Sequence, residues 1–526
     1  MLSLHENSER HVIIDARPGH YLSFPDVCLT PGGRVLVAYR EADKHVATRK
    51  RVLLRSSGDR GKTWSDFTVL YGDHGHCPRF TVLEDGRVVV LDDSPPFLSI
   101  SDDGGETWEH LAVKGIAHGL LDRAMVLESG DWLTAGHGHR GEVCPPAIAQ
   151  PPVEQMAYRS VSQGRKWRAL SVMANARNLV LCEASMARLD NGDILVLFRE
   201  NSQVFEPMYW SLSSDNGETW SDPMPTPLIG HRPTIGLTRS GKLLVTYRNV
   251  APNMGTAAWL GEVEELIRDK KGFQVHGLAP GLGEQDNPNP VLTDQGLLLD
   301  NEMGEERCVL YCLYPLTDPE HARAVLEADV RVFSGETNAC GMRLGVWWRI
   351  FGDRIKPEIK GARPFKLPSG QMNRIRITYE DGAVTLHVNN RKKRTFELPA
   401  DDVRRRPVLF GNCSVRDKIR GKSLWKSIRY SCSEPRFLKD YHWEWTPDSG
   451  LPDACAAGRV LELNNARQAA WPDFGYSGWT EVSNGEFLCA YHHADGLDSG
   501  YKPGETSLVM ATRFYESDFI LKKNAD

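Results

Sequence analysis

The chain is poor in several features that would place it in a class at once. Across 526 residues no stretch approaches about 18 consecutive apolar residues, which excludes a transmembrane helix, and no membrane partner is expected. The 11 cysteines are odd in number and scattered, with no CxxC pair, so they read as reduced, buried thiols rather than a disulfide framework or a zinc ribbon. No His/Asp/Glu group has metal-ligand spacing, so no metal and no cofactor are assigned. A basic excess is also missing. Lys plus Arg number 63 against 69 Asp plus Glu, a net charge of −6, which argues against a nucleic-acid partner held by bulk charge. The opening MLSLHENSERH lacks a basic segment followed by an apolar one, so a cytoplasmic location is expected. The 47 glycines and 31 prolines are spread along the chain, which excludes a helical bundle or coiled coil and calls for many short elements joined by turns.

One element does recur: an apolar strand, a turn ending in glycine, and a second apolar strand. It surrounds Gly33 (SFPDVCLTPGGRVLVAYR), Gly86 (CPRFTVLEDGRVVVLDD) and Gly130 (LDRAMVLESGDWLTAGH). It returns at Gly192 (EASMARLDNGDILVLFR), Gly241 (RPTIGLTRSGKLLVTYR) and Gly485 (YSGWTEVSNGEFLCAYHH). Six hairpins, the first five at a spacing near 50 residues, indicate a repeat architecture. A second element, Ser-x-Asp-x-Gly-x-Thr-Trp, is complete at Ser57 to Trp64, Ser101 to Trp108 and Ser213 to Trp220. A degenerate copy ends at Trp167, with Ser162 in place of the Asp. The aspartate accepts backbone N–H bonds, the glycine takes the left-handed corner and the tryptophan packs beneath, so these boxes are structural and not catalytic.

Aspartate boxes on such a repeat resemble the sialidase (neuraminidase) superfamily with its BNR repeats. The resemblance implies an all-β fold, a six-bladed β-propeller of four-stranded blades. The strand near His11 to Ile14 is expected to complete the last blade beside SLVMATRFYESDFIL. Between the fifth and sixth hairpins the pattern changes to long alternating strands, among them MNRIRITYEDGAVTLHVNN, which resembles the laminin-G and concanavalin-type sandwiches. The expected organisation is blades one to five over 1–286, an inserted lectin-like β-sandwich over 287–435, and the sixth blade over 436–526. The fifth blade's outer strands are expected within 256–280.

Propeller blades radiate from an axis, so the start of each inner strand faces one central cavity. Nine residues before the turn glycine the six repeats read Phe24, Cys77, Leu121, Glu183, Arg232 and Tyr476. Seven before it they read Asp26, Arg79, Arg123, Ser185, Thr234 and Gly478. Seven after it they read Arg40, Asp93, His137, Arg199, Arg248 and His492. Six arginines, three carboxylates, two histidines and a tyrosine in these slots point to an anionic ligand.

Two positions match the sialidase pattern residue by residue. Glu183 opens an inner strand with Arg199 sixteen residues on, and Tyr476-Ser-Gly-Trp-Thr-Glu opens the last one. The resemblance implies Tyr476 as nucleophile, Glu183 as its base and Arg199 in a clamp for the substrate carboxylate, with Arg248 and Arg232 as further clamp candidates. A sugar bearing a carboxylate at its anomeric carbon repels a carboxylate nucleophile, whereas a neutral phenol with a neighbouring base can approach. The chain departs from the family in the first blade, where Ser23-Phe24-Pro25 stands in place of Arg-Ile-Pro. The acid/base is expected in READKHVATRK, as Asp43 or His45. Arg40, Arg79, Arg123, Asp26, Asp93, His137 and His492 complete the expected substrate-binding set. The leading expectation is a retaining exo-glycosidase on an acidic carbohydrate. A lyase or rhamnosyl-uronate hydrolase using histidine, and a non-catalytic glycan-binding propeller, stay open beside it.

Overall fold

All six turn glycines of the sequence repeat lie at positive φ, between 68° and 91°, and each joins two antiparallel strands. The computed structural model describes residues 2–519 except 145–149, 176–178, 203–205, 252–253, 268–275, 278–289, 303–307, 405, 415–417, 438, 454–457, 467–472, 495–501 and 503. The hairpins extend into six sheets, antiparallel except where Leu2–Ser3 adds in parallel along Val460–Asn465 in the fifth. The first holds Tyr21–Leu29, Val35–Ala42, Lys50–Ser57 and Thr68–Tyr71, and the next three repeat this order of four consecutive strands. In the sixth, Ser477–Ser483, Glu486–His493 and Leu508–Tyr515 are joined by His11–Asp15, so the first and last segments of the chain share one blade.

Packing arranges the sheets into a ring. Strand alternation gives each sheet two apolar faces, and each face is buried against a different neighbour. Leu36, Val52, Val88 and Val90 join the first blade to the second, and Leu91, Leu98, Trp132 and Tyr158 join the second to the third. Separate clusters join third to fourth, fourth to fifth, fifth to sixth, and sixth back to first. Six clusters for six blades close the propeller.

The segment between the fifth and sixth hairpins forms two large sheets over one core. A seven-stranded sheet contributes Tyr311, Met342, Trp348 and Phe410, and an eight-stranded sheet contributes Leu326, Ile377, Leu386, Trp425 and Tyr430. Its expected start at 287 lies outside the described residues. Its expected end at 435 is corrected by the strand pairing. Lys439–Trp445 hydrogen-bonds along Arg420–Glu434 and so belongs to the large sheets. Val460–Asn465 pairs with Gly255–Gly261 and forms the fourth strand of the fifth blade, which was expected before residue 280. The insertion therefore divides the fifth blade between its third and fourth strands. A lone outer strand carries no turn motif, and nothing in the sequence marks it.

Candidate active site

At the start of three inner strands the ladder register shifts, between Ser23 and Asp26, Cys182 and Ser185, and His231 and Thr234. The residue at each bulge is left-handed: Phe24 at φ 55°, Glu183 at 47° and Arg232 at 49°. Bulky residues in this region are strained, and such bulges re-aim side chains. Here they turn the slot nine before each glycine toward the propeller axis. A cavity of about 660 Å³ opens there, lined by Phe24, His45, His137, Glu183, Arg199, Arg248, Asp473 and Tyr476 among others.

Tyr476, Glu183 and Arg199 are in direct contact. The Tyr476 hydroxyl donates to Glu183 Oε1 at 2.6 Å, and Arg199 Nη1 donates to both Glu183 oxygens at 2.8 and 2.9 Å. The same Nη1 lies 2.6 Å from the phenol oxygen, and Arg199 Nη2 donates to Asn201 Oδ1 at 2.6 Å. Burial opposes ionisation of Glu183, yet Arg199 and Arg232 hold its carboxyl well below the usual carboxylate range. Burial raises the Tyr476 phenol well above its ordinary value, although the neighbouring guanidiniums pull the other way. The arrangement is a neutral phenol whose proton already points at an ionised carboxylate.

Arg248 stacks its guanidinium 4.3 Å from the Tyr476 ring centroid, and its Nε donates to the Phe474 carbonyl. It is 6% exposed and lines the cavity, and it forms no ion pair with a carboxylate among the described residues. Burial lowers its pKa. Arg232 lies behind Glu183, fully buried, with Nη2 donating to Cys77 Sγ at 3.0 Å, and it does not line the cavity.

Several expected residues fall elsewhere. Asp26, Arg79 and Arg123 form an axial belt below the cavity: Arg79 Nη1 lies 3.7 Å from Asp26, and its Nη2 donates to Thr234 Oγ1 at 3.1 Å. Arg123 opens onto a groove at the opposite mouth. Arg79 Nη2 also lies 3.6 Å from Asp122 and Arg123 Nη2 4.0 Å from Asp26, so these residues tie blades together, and none of them lines the cavity. Arg40 is buried beneath Phe24 and donates from Nη2 to the His45 carbonyl at 3.1 Å. Asp93 accepts the Leu120 N–H at 2.7 Å, and His492 lies fully buried behind Asp473. Asp43 does not reach the cavity. Its carboxylate accepts the Thr48 hydroxyl at 2.5 Å and the Thr48 and Arg49 amides, and these bonds lower its pKa to about 2. His137 does line the cavity, with Nδ1 accepting the Glu183 N–H at 3.3 Å, and burial lowers its pKa to about 4.

The sequence reading missed Asp473, Tyr21, His76, His139, His231 and Glu200, all but Tyr21 on the cavity wall. A signal existed for the first two. Twelve residues before the turn glycines the repeats read Tyr21, His74, His118, Val180, Ile229 and Asp473, a slot with four polar members.

No protein of curated description matches this chain. Among solved structures it is similar to a protein of unknown function from Dyadobacter fermentans, at 15% identity over 58% of this chain and 93% of that one, with a TM-score of 0.42. It is similar to a Trypanosoma rangeli sialidase in complex with 2,3-difluoro-KDN, at 10% identity over 82% and 96% of the two chains and a TM-score of 0.37. The NanB sialidase of Streptococcus pneumoniae aligns at 13% identity over 50% and 62%, with a TM-score of 0.38. Residues 94–254, which run from the second blade into the fifth, match the family model of the BNR repeat-like domain.

Proposed function

We propose that the protein is a sialidase-type retaining glycosidase that releases an acidic sugar, of the sialic or ulosonic type or from a uronate-bearing glycan. The observation that carries this reading is the Tyr476 phenol, bonded to ionised Glu183 on the cavity wall. In the first step the Tyr476 oxygen attacks the anomeric carbon as its proton passes to Glu183, and the glycosidic bond breaks with its electron pair on the leaving oxygen. In the second, water attacks the tyrosyl–sugar bond from the opposite face and Glu183 returns the proton to the phenolate. Two inversions give net retention. Arg248, a buried guanidinium without a carboxylate partner among the described residues, supports an anionic substrate, since a buried cation gains most from an anion brought beside it.

Elimination with His137 or His492 as base draws less support, which leaves His45 as the histidine such a reading would use. His137 Nδ1 is occupied by the Glu183 amide, and His492 is sealed from the cavity. The test is a panel of 4-methylumbelliferyl glycosides of acidic sugars, including N-acetylneuraminic acid, KDN and glucuronic acid, assayed for fluorophore release. Turnover on one of them, lost in Tyr476→Phe, is the expected result. Turnover that survives Tyr476→Phe, or an unsaturated product absorbing in the near ultraviolet, refutes it.

A further inference from the structure

The reaction above leaves one proton unassigned: the leaving oxygen needs one, and the attacking water must lose one. Asp43 is committed to its own turn, but the same loop delivers His45 to the cavity. The loop backbone is fixed at that residue, since the His45 N–H donates to the Gly504 carbonyl at 2.7 Å and the His45 carbonyl accepts from Arg40. The ring is oriented from behind. Its Nδ1 lies 2.7 Å from the Tyr21 hydroxyl and 3.1 Å from Asp473 Oδ1, and Tyr21 also bonds both Asp473 oxygens at 2.7 Å.

We infer that His45 is the acid/base of this site and that Asp473 and Tyr21 are the positioning residues that set its tautomer. The inference rests on the Tyr476–Glu183 reading of the site. Asp473 has a 1% exposed side chain. Burial opposes its charge, yet hydrogen bonds from His45 and His492 hold it well below the usual carboxylate range. An ionised carboxylate at Nδ1 keeps a proton on that nitrogen, so Nε2 is the nitrogen that exchanges with the substrate. In the first step Nε2–H gives its proton to the leaving oxygen as the C–O bond breaks. In the second, neutral Nε2 takes a proton from the water whose oxygen bonds to the anomeric carbon.

Phe24 sets the spacing between this group and the nucleophile. Its ring centroid lies 5.9 Å from His45 and 4.9 Å from Tyr476, and its left-handed backbone holds it between them. The ring supplies an apolar floor and carries no charge against the imidazole.

The test compares 4-nitrophenyl and methyl glycosides of N-acetylneuraminic acid, and of any other acidic sugar the panel selects. A nitrophenolate leaves without a proton and a methoxide does not. His45→Ala is expected to lower kcat/KM on the methyl glycoside by about 10²–10⁴ and on the nitrophenyl glycoside by less than about tenfold, with azide restoring part of the loss. Asp473→Asn and Tyr21→Phe should show the same leaving-group bias at smaller size. Equal losses on both substrates, or no loss, overturn the assignment while leaving Tyr476 intact as nucleophile. Activity surviving in Tyr476→Phe instead removes the underlying reading. A measurement without substrate decides independently. Ring ¹⁵N shifts should place the neutral-state proton of His45 on Nδ1, and Asp473→Asn should redistribute it. A proton resident on Nε2 in the unmodified protein, or shifts unmoved by the substitution, refutes the positioning role.

Discussion

At Tyr476 a single phenol oxygen accepts from Arg199 and donates to Glu183, and the ring carries Arg248 on its face. Glu183→Gln keeps the shape but removes the proton acceptor. It is expected to lower kcat by about 10²–10⁴ with little change in KM. Arg248 makes the opposite prediction. Its contacts within the fold are the bond to the Phe474 carbonyl and the stacking on Tyr476, with no ion pair among the described residues, so Arg248→Met should lower stability by only about 1–2 kcal/mol. Its loss removes a charge-assisted bond to the ligand, about 1.5–3 kcal/mol, or a ten- to hundredfold rise in KM for the anionic sugar. Unchanged KM in a folded Arg248→Met protein excludes this arginine from the clamp. The sequence made much of this site legible, because hairpin register alone pairs Glu183 with Arg199 and aims Tyr476 inward. Asp26, Arg79 and Arg123 misled the same reading. A bulge intervenes before Asp26, and a one-residue register shift is invisible to a count along the chain. Arg79 and Arg123 are taken up by Asp26 and Asp122 of other blades, a pairing no count along the chain shows. Asp473 was missed because it sits in the approach to the strand and not on it.

The aspartate boxes explain how one blade grips the one before it. In the first, Asp59 Oδ1 accepts the Lys62 and Thr63 amides at 3.0 and 2.9 Å while Ser57 Oγ accepts the Gly61 N–H at 2.8 Å. The closed turn presents a glycine to a leucine of the preceding blade. A Cβ added at Gly61 would lie 2.5 Å from Leu488 Cδ2, and one at Gly105 would lie 2.5 Å from Leu36 Cδ1. Both glycines are also left-handed, at φ 85° and 94°. Gly105→Ala is therefore expected to cost about 1–3 kcal/mol through strain and overpacking. A lowered urea midpoint with kcat preserved is the predicted result, and an unchanged midpoint contradicts blade docking through the box. These elements were readable because turn chemistry is local: serine, aspartate, glycine and threonine act within eight residues. The fourth strand of the fifth blade was not readable, because its pairing is long-range and its neighbours in sequence belong to the inserted sheets.

At the scale of the whole molecule, the inserted sheets are joined to the propeller ring through buried charge. Lys439 Nζ lies 3.0 Å from Glu206 Oε1 and 2.6 Å from Glu434 Oε2, and Glu206 is itself part of the cavity wall. Removing the ammonium would leave two buried carboxylates without their cation, so Lys439→Met should destabilise by about 3–5 kcal/mol and disturb turnover as well. Neutral buried histidines set the response to acid. Burial lowers His137 to about 4 and His493 to about 3 from an ordinary 6.5, and takes His231 well below that value. On unfolding each would bind a proton between those limits. The stability they contribute is therefore whole above pH 6.5 and is lost as pH falls toward 4. Glu200 acts in the reverse sense. Burial raises its pKa to about 7 from 4.5, so its contribution is whole below 4.5 and is lost as pH rises toward 7. Asp92, raised to about 6, and Glu206, also raised, act as Glu200 does. Burial lowers His11, His110, His118, His387 and His492 as well, so the lowered histidines outnumber the raised carboxylates and stability falls toward acid. The urea midpoint should accordingly fall from pH 6.5 to 4.5, and His493→Gln should flatten that fall by removing one of the protons taken up on unfolding. A midpoint that holds steady or rises toward acid would mean that the buried imidazoles do not govern the stability of the ring.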